Sequence, residues 1–187
     1  MILLRHGQSQ FNAAFAVTRA DPGIEDPMLT PDGELQAQDA GAQLNGMDLR
    51  RVVASPYTRT LHTAQIIAEA LGLPVSVEPM IREHAHFTCD IGTATSELRR
   101  RWPDFDFGDL PEVWWPRLGE SEAEVRARCE DFRIASAVLA DWPHVLVVTH
   151  WGFIRGLTGE ELANGAMLRF DPVTAAATAV VRAARAC

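Results

Sequence analysis

Met1-Ile2-Leu3-Leu4-Arg5-His6-Gly7 opens the chain, so that a short apolar run gives way at once to an arginine, a histidine and a glycine. The apolar run predicts a buried strand. The pattern recurs at 51–54, followed by Ser55-Pro56-Tyr57-Thr58-Arg59, and at 144–149, the most strand-like stretch, which leads into His150. The ligand crevice of an open α/β sheet lies beyond the carboxyl ends of its strands. We therefore expect these three polar clusters to meet there.

Periodic segments between the strands predict helices. Thr30 and Pro31 fit the N-cap and the first position of a helix, which Asn45-Gly46 ends, with Leu35, Ala42 and Leu44 as its apolar stripe. Further helices are predicted at 55–71, 121–141 and 152–157, and further strands at 73–77, 167–170 and 178–182. The alternation predicts an α/β fold, a three-layer α/β/α sandwich whose mostly parallel sheet is mixed because its last two strands form a hairpin.

Residues 83–119 do not follow this alternation. They are irregular and rich in aromatic, proline and acidic residues, with one short helix predicted near 96–101. We interpret them as a cap or lid within a single domain spanning 1–187. Trp114-Trp115 either forms an aromatic wall of the pocket or packs the cap onto the sandwich. Residues 11–26, including Phe15 and Arg19, are predicted to be a loop that borders the pocket.

The composition narrows the class of protein. The chain has 187 residues, 47% hydrophobic and 22% charged, with a formal net charge of -8. This apolar content argues against a disordered protein, and the acidic balance against nucleic acid or an anionic membrane as a partner. The three cysteines are far apart and suggest neither zinc nor a redox motif. With no apolar run long enough to span a membrane and no signal-like start, we expect a cytoplasmic protein, monomeric or homodimeric.

The three clusters concentrate two arginines and two histidines at one sheet edge. Arg offers a planar pair of donors that matches phosphate oxygens, and Gly7 exposes backbone N–H that can face an anion. Phosphoryl transfer needs little beyond positioning and charge neutralisation. A neutral imidazole can attack phosphorus, and nearby arginine charges lower a histidine pKa and so favour that neutral form. A phosphate is therefore the ligand that these residues predict.

Five ordered blocks of the sequence resemble the histidine phosphatase superfamily, in its phosphoglycerate mutase-like branch. The blocks are Leu4-Arg5-His6-Gly7-Gln8-Ser9 with Asn12, Leu29-Thr30-Pro31-Asp32-Gly33, Ser55-Pro56-Tyr57-Thr58-Arg59-Thr60, Ile81-Arg82-Glu83-His84 and Val147-Val148-Thr149-His150. They span about residues 2–157. The resemblance implies the phosphoglycerate mutase-like form of the α/β/α sandwich.

The resemblance also implies roles for individual residues. His6 would be the nucleophile, Arg5 and Arg59 would clamp the phosphate, and His150 would stabilise the transition state. Glu83 would be the general acid and then the general base. Asn12 would sit in the phosphate pocket, and backbone N–H groups near Gly7 and Trp151 would add donors. No metal or other cofactor is implied, because Arg and His supply the positive charge.

The physical interpretation of Glu83 agrees with that role. Protonating a poor alkoxide leaving group needs an acid whose pKa is raised, for example by partial burial. Glu83 follows the apolar residues Met80 and Ile81. Asp90, Glu97 and Asp104 lie in the same irregular region and remain rival acids.

Departures from the family pattern bear on the substrate. Position 8 is Gln where many members have Glu, position 151 is Trp where Gly is common, and a different segment follows Glu83. Residues that could shape the substrate pocket are Gln8, Phe15, Arg19, His84, Trp114 and Trp115.

Three functions are open at this point. The favoured one is a metal-independent phosphomonoesterase that acts on a small phosphorylated metabolite through a phosphohistidine. The second is a cofactor-dependent phosphomutase, which usually needs a longer cap than this chain length leaves. The third is a non-catalytic phosphate-binding or protein-interaction module, against which the complete set Arg5, His6, Arg59, Glu83 and His150 counts.

Overall fold

The sheet is mixed and mostly parallel. A computed structural model describes residues 1–180, and the strands within them are β1 (Ile2–Arg5), β2 (Arg51–Ala54), β3 (Val75–Val77), β4 (Val145–Thr149), β5 (Met167–Asp171) and β6 (Ala176–Ala179). Their order across the sheet is β3-β2-β4-β1-β5-β6. The first four in that order run parallel, whereas β5 and β6 pair antiparallel as the predicted hairpin. Residues 181 and 182 of the last predicted strand lie outside the described residues.

Helices cover both faces of this sheet. They are α1 (Gln10–Thr18), α2 (Pro31–Leu44), α3 (Thr58–Leu71), α4 (Thr95–Arg101), α5 (Glu122–Ala137) and α6 (Trp151–Thr158). Successive strand residues point to opposite faces, so Ile2 and Leu4 pack in one core with α2 and α3, and Leu3 packs in another with α5 and α6. The predicted three-layer α/β/α sandwich is confirmed. No helix within residues 1–180 combines the length and apolarity that crossing a bilayer requires.

Side-chain caps set several helix ends. The Thr30 hydroxyl accepts from the Gly33 N–H at the start of α2, and Ser121 forms a capping box with Glu124 at the start of α5. Helix α3 begins at Thr58 rather than at the predicted Ser55. The Asp26 carboxylate, from a distant loop, accepts from both the backbone N–H and the hydroxyl of Thr58 and so caps this helix.

The apolar stripe predicted for α2 is wrong at two of its three residues. Leu35 and Ala42 are exposed, and the buried face consists of Leu44 with the small residues Gly33, Ala37, Ala40 and Gly41. Small residues are needed there because α2 lies close to α3 and to the loop after β1. Because most residues of this face are small, the pattern of large apolar side chains does not reveal it.

The loop predicted at 11–26 is also wrong in its first half. Residues up to Thr18 form α1, whose N-cap Ser9 makes a capping box with Asn12. The helix ends at Arg19, which adopts a left-handed conformation with φ 55°. Its residues are apolar on nearly every side, so the sequence carries no clear helical periodicity.

Most of the segment 83–119 packs on the core that lies between the sheet and helices α2 and α3. Helix α4 lies where a short helix was predicted, and Leu98, Trp102 and Phe107 are buried in the core that contains β2 and α3. The backbone of Asp106 also pairs with β3, through Val77 N–H at 2.8 Å and Val75 carbonyl at 2.9 Å. The segment therefore extends the sandwich at the β3 edge.

Candidate active site

The three polar clusters meet at the carboxyl ends of adjacent strands. β4 lies between β2 and β1, and the register places Arg5 beside Thr149, and Ala54 beside Val148. His6 and His150 each follow their strand by one residue, and their rings lie 5.2 Å apart between centroids with an interplanar angle of 64°. Both side chains are buried. Parallel pairing of two strands that lie far apart in the sequence thus brings the two histidines into contact.

The hydrogen bond of His6 fixes its tautomer. Its Nδ1 lies 2.6 Å from the carbonyl oxygen of Gly7, and because a carbonyl can only accept, Nδ1 carries the proton. The pKa of His6 lies well below its usual range, because burial and the charges of Arg59 and Arg5 disfavour the imidazolium. The ring is therefore neutral at physiological pH, with an unprotonated Nε2.

His150 is held by Ser55, the residue that directly follows β2. The Nε2 atom lies 2.8 Å from the Ser55 hydroxyl, and the ring packs edge-on against Tyr57. Burial, followed by the charge of Arg59, lowers the pKa of His150 well below its usual range. Its Nδ1 is buried and has no hydrogen-bond partner among residues 1–180.

The two arginines are fixed in different ways. Arg5 donates from Nη1 to the Leu162 carbonyl at 2.7 Å, while its buried Nε has no partner within the described chain. Arg59 is almost fully buried and donates to the Cys89 carbonyl at 2.8 Å and to the Asp90 carboxylate at 3.1 Å. Its guanidinium also lies 4.3 Å from the centroid of the Tyr57 ring. Both cations are thus oriented before any ligand binds.

Asp90 is the buried partner of Arg59, a role that the sequence did not indicate. Its second carboxylate oxygen accepts from the backbone N–H groups of His86 and Phe87, each at 3.0 Å. Its carbonyl oxygen accepts from the Tyr57 hydroxyl at 2.7 Å. Asp90 therefore ties the segment after Glu83 to the arginine that follows β2.

Glu83 lies against the first turn of α6. One carboxylate oxygen accepts from the Gly152 N–H and from the His84 N–H, both at 2.8 Å. A Cβ atom at position 152 would overlap this oxygen and crowd the Cβ of His84, so a side chain there would displace Glu83 from this position. Burial and, second, the charge of Asp90 raise the pKa of Glu83, against an opposing effect of Arg59. Gly152 is a site residue that sequence reasoning missed.

The rival acids occupy different positions. Asp90 is paired with Arg59, and Glu97 binds Arg100 and Arg101 on the exposed side of α4. Asp104 is exposed and lines a different, smaller cavity. Of the four carboxylates, Glu83 and Asp90 line the large cavity beside His6.

That cavity has a volume of about 610 Å³. Of the predicted residues, it is lined by Arg5, His6, Asn12, Phe15, Arg19, Arg59, Glu83, His84 and Trp151. Asn164 also lines it, donating to the His6 carbonyl at 3.1 Å and to the Asn12 side-chain oxygen at 3.2 Å. It lies in the loop before β5, where neither a motif nor a strand end marks it, so sequence reasoning missed it. Among the described residues, no group of three or more His, Cys, Asp or Glu side chains could hold a metal ion.

Backbone N–H groups near Gly7 were predicted to face the anion, but the N–H of Gly7 itself has a partner within the protein. The N–H donates to the Thr63 hydroxyl at 3.1 Å, and Gly7, like His150, is outside the cavity lining. A Cβ atom at Gly7 would overlap the carbonyl oxygen of Gly33. The glycine is required for this close approach of α2.

Three residues predicted to shape the substrate pocket, Gln8, Trp114 and Trp115, lie outside the cavity lining. Gln8 uses its side-chain oxygen to accept from the Thr30 hydroxyl at 2.9 Å. Trp114 is buried against Tyr57, 4.6 Å between ring centroids, and donates to the Thr93 carbonyl. Trp115 packs edge-on against Trp114 at 5.6 Å. The two tryptophans follow the packing alternative, because the segment 83–119 needs large apolar groups to bury against the core.

The fold and this cluster define an α/β protein with a histidine- and arginine-lined pocket at the carboxyl ends of parallel strands. The model of the histidine phosphatase superfamily, branch 1, matches residues 1–185. The chain belongs to this superfamily. The match supports the predicted enzyme class, a phosphoric monoester hydrolase.

Several relatives carry the name probable phosphoglycerate mutase GpmB. The one from Serratia proteamaculans is 41% identical over 155 residues, which cover 79% of this chain and 67% of that protein. The one from Enterobacter sp. is 37% identical over 159 residues, with the same coverage. One from Erwinia tasmaniensis is 41% identical over 81 residues, which cover 43% of this chain but only 36% of that protein.

Several solved structures that share the fold carry phosphatase names. A putative alpha-ribazole-5'-P phosphatase from Escherichia coli matches with a TM-score of 0.64 and 25% identity, covering 99% of this chain and 96% of that one. The ecdysone phosphate phosphatase from Bombix mori matches with a TM-score of 0.67 and 19% identity, covering 91% and 89%. At 19% identity, the similarity to the ecdysone phosphate phosphatase concerns the fold alone.

Proposed function

We propose that the protein is a metal-independent phosphomonoesterase that acts on a small phosphorylated substrate through a phosphohistidine on His6. The tautomer of His6 carries this proposal. Its Nδ1–H donates to the Gly7 carbonyl, so a neutral ring presents an unprotonated Nε2 beside Arg5 and Arg59. A nucleophilic histidine requires a free nitrogen in an electropositive, largely buried site.

Positioning of the phosphoryl group falls to Arg5, Arg59, His150 and Asn12. The partnerless buried Arg5 Nε and His150 Nδ1 support this assignment, because a phosphate oxygen is an acceptor for both. For His150, the Ser55 hydroxyl can donate to Nε2, which leaves the ring hydrogen on Nδ1. The backbone N–H of Trp151, at the start of α6, is the further donor that we assign.

The reaction has two steps. Nε2 of His6 attacks phosphorus, the bond between phosphorus and the ester oxygen breaks, and Glu83 gives its proton to the departing alkoxide. Glu83 then accepts a proton from a water molecule that attacks the phosphohistidine, and the nitrogen–phosphorus bond breaks to release phosphate. The raised pKa of Glu83 supports its acid role, because the carboxyl group keeps its proton closer to neutral pH.

The segment 83–119 is proposed to cap the site through its first part only. Within it, the cavity is lined by Glu83, His84, His86, Phe87, Cys89 and Asp90. The remainder packs on the core near β3. The 1–187 chain is proposed to act as one domain.

A phosphoglycerate mutase activity is the second candidate, because the relatives above carry that name. Phosphoglycerate has a carboxylate that needs a cation besides the phosphate clamp. Apart from Arg5 and Arg59, the arginine in the cavity lining is Arg19, which is exposed at the end of α1. The phosphatase is therefore favoured. A non-catalytic module has no use for an acid such as Glu83 beside the pocket.

Product analysis of variants tests the proposal. Wild-type protein should release inorganic phosphate from alkyl phosphomonoesters, and His6→Ala should abolish this release. His144→Ala is the matched control, because His144 precedes β4 whereas the catalytic cluster follows it. Wild-type protein given a radiolabelled ester should carry acid-labile label that His6→Ala lacks. Label retained on His6→Ala, or an isomeric monophosphate as the main product, would contradict the proposal.

Esters with different leaving groups distinguish the role of Glu83 from that of His6. Glu83→Gln should slow an alkyl ester by about 10²–10⁴-fold, because its alkoxide needs a proton. Nitrophenyl phosphate should be slowed much less, since its leaving group is stable as an anion. Equal losses on both esters would assign the acid to another residue.

A further inference from the structure

One face of α1 forms a wall of the cavity. Phe11, Asn12, Phe15, Ala16 and Arg19 all line it, and their spacing places them on a single side of the helix. Asn12 lies at the end of the cavity where the phosphate is proposed to bind, and it accepts a hydrogen bond from Asn164. Phe11, Phe15 and Ala16 provide apolar surface along the rest of the wall.

Phe87 completes an aromatic cluster with this wall. The ring centroids of Phe11 and Phe15 are 5.4 Å apart and nearly parallel at 13°. Phe87, from the segment after Glu83, lies 5.5 Å from Phe11 and 5.3 Å from Phe15. All three rings border the cavity, and aromatic faces of this kind bind flat apolar groups well.

Two histidines of the lining flank this cluster. His84 has its Nε2 within 2.6 Å of the Glu120 carbonyl, and His86 packs edge-on against Phe87 at 4.8 Å. The volume of about 610 Å³ exceeds what a phosphate with a three-carbon chain needs. Between the end beside His6 and the exposed Arg19 at the end of α1, this wall thus offers apolar surface and space.

We infer that the alcohol part of the substrate is an apolar, ring-bearing group that sits on the surface formed by Phe11, Phe15 and Phe87. This inference rests on the proposed phosphatase function. It names the substrate class as phosphomonoesters of hydrophobic cyclic alcohols, in place of phosphorylated hydroxy acids or polyols. Phe15 is the residue to vary, because Phe11 is more deeply buried and supports α1.

The test compares esters whose leaving groups are all alkyl alkoxides. Phosphate release is measured for phenylethyl phosphate, ethyl phosphate and phosphoglycerate with wild type, Phe15→Ala and Phe15→Leu. Val17→Ala is the matched control, because Val17 lies on the same helix and is 85% exposed. Phe15→Leu is included because leucine keeps apolar bulk without the ring.

In parallel, calorimetry measures the Kd of phenylphosphonate and methylphosphonate, which cannot be hydrolysed.

We expect wild type to favour phenylethyl phosphate over both other esters by about tenfold or more in kcat/KM. Phe15→Ala should reduce that preference by about tenfold, chiefly through KM, Phe15→Leu should reduce it less, and Val17→Ala should keep it. The phosphonate Kd ratio should change in the same way. A preference for phosphoglycerate, or a phenylethyl preference that Phe15→Ala leaves intact, would overturn the inference.

The two proposals fail separately. If phosphate release depends on His6 but is equally efficient for phenylethyl phosphate and ethyl phosphate, the proposed substrate class is refuted. The proposed phosphatase function is then retained. If no ester released phosphate, the phosphatase proposal would fail, and the phosphonate Kd ratios would still decide whether the aromatic surface selects rings.

Discussion

Asp90 places a buried negative charge beside Arg59, the arginine that we propose as part of the phosphate clamp. It holds one edge of Arg59 and, by its charge, helps to raise the pKa of Glu83. A buried carboxylate of this kind is stable only with its cation and its hydrogen bonds. Asp90 is therefore a positioning residue that acts on both the arginine and the acid.

We predict that Asp90→Asn shifts the alkaline limb of the pH profile to lower pH. Removal of the negative charge favours the Glu83 carboxylate, so its pKa falls and the proton needed by the leaving group is lost sooner as pH rises. The profile of kcat/KM for an alkyl ester measures this shift. We also expect kcat/KM on the plateau to fall by about tenfold, since Arg59 loses its charged partner.

Asp104→Asn removes an exposed carboxylate outside the cavity and is the control. An alkaline limb that moves to higher pH in Asp90→Asn, or that moves equally in both variants, would refute the electrostatic role of Asp90.

At the scale of elements, the approach of α2 to the loop after β1 shapes the site. Gly7 and Gly33 face each other so closely that a Cβ on either would overlap backbone of the other segment. Hydrogen bonds reinforce the contact, since Thr30 N–H donates to the Gln8 carbonyl at 2.9 Å and Gln8 N–H donates to the Gln36 side chain at 2.8 Å. The turn that presents His6 is thus supported by the start of α2.

The two buried glycines of α2 are predicted to respond oppositely to the same substitution. Gly33→Ala should lower the free energy of unfolding by about 1–3 kcal/mol, because backbone must shift to admit the methyl group. Gly41→Ala should raise it by up to about 1 kcal/mol, because its Cβ would meet neighbours at 3.8 Å and alanine favours a helix. Urea denaturation measures both. A stabilised Gly33→Ala would refute the close approach.

Much of the element pattern could be predicted from the sequence, and the exceptions have physical causes. β2 was predicted with its observed bounds, and Thr30 and Ser121 marked helix starts, because these signals are local. Helix α1 was missed because its apolar face lines a cavity and its other residues are also apolar or small. The cap of α3 came from Asp26, a non-local contact that spacing along the chain does not reveal.

At the scale of the whole molecule, the segment 83–119 combines two kinds of structure. Residues after Glu83 border the cavity, whereas Leu98, Trp102 and Phe107 are fixed in the core. We predict that vanadate, a phosphate mimic, slows amide hydrogen exchange in residues 84–91 and leaves 95–110 unchanged, because only the first part faces the ligand. Hydrogen exchange measured by mass spectrometry tests this. Equal changes across 84–110 would indicate that the segment moves as one lid.

The sequence also predicts where the site lies in the fold, but it does not predict which residues beyond the strand ends surround it. Three strand ends predicted that His6, Arg59 and His150 lie together, since parallel strands share one edge. Asp90 and Asn164 reach that edge on loops, and Gly152 faces Glu83 because a further loop returns there, which no motif encodes. Gln8 and Trp114 lie outside the cavity lining, because adjacency in sequence does not determine which side chains face a cavity.

The adjacency of β1 and β4 has a consequence for how the chain reaches its native state. β1 and β4 lie far apart in the sequence, so their pairing closes one of the longest loops among the strand pairs of the sheet. Contacts of such high sequence separation form late and slow folding. During refolding from denaturant, helical circular dichroism should therefore recover before phosphate release does, and enzymatic turnover becomes a reporter of the last event in assembly.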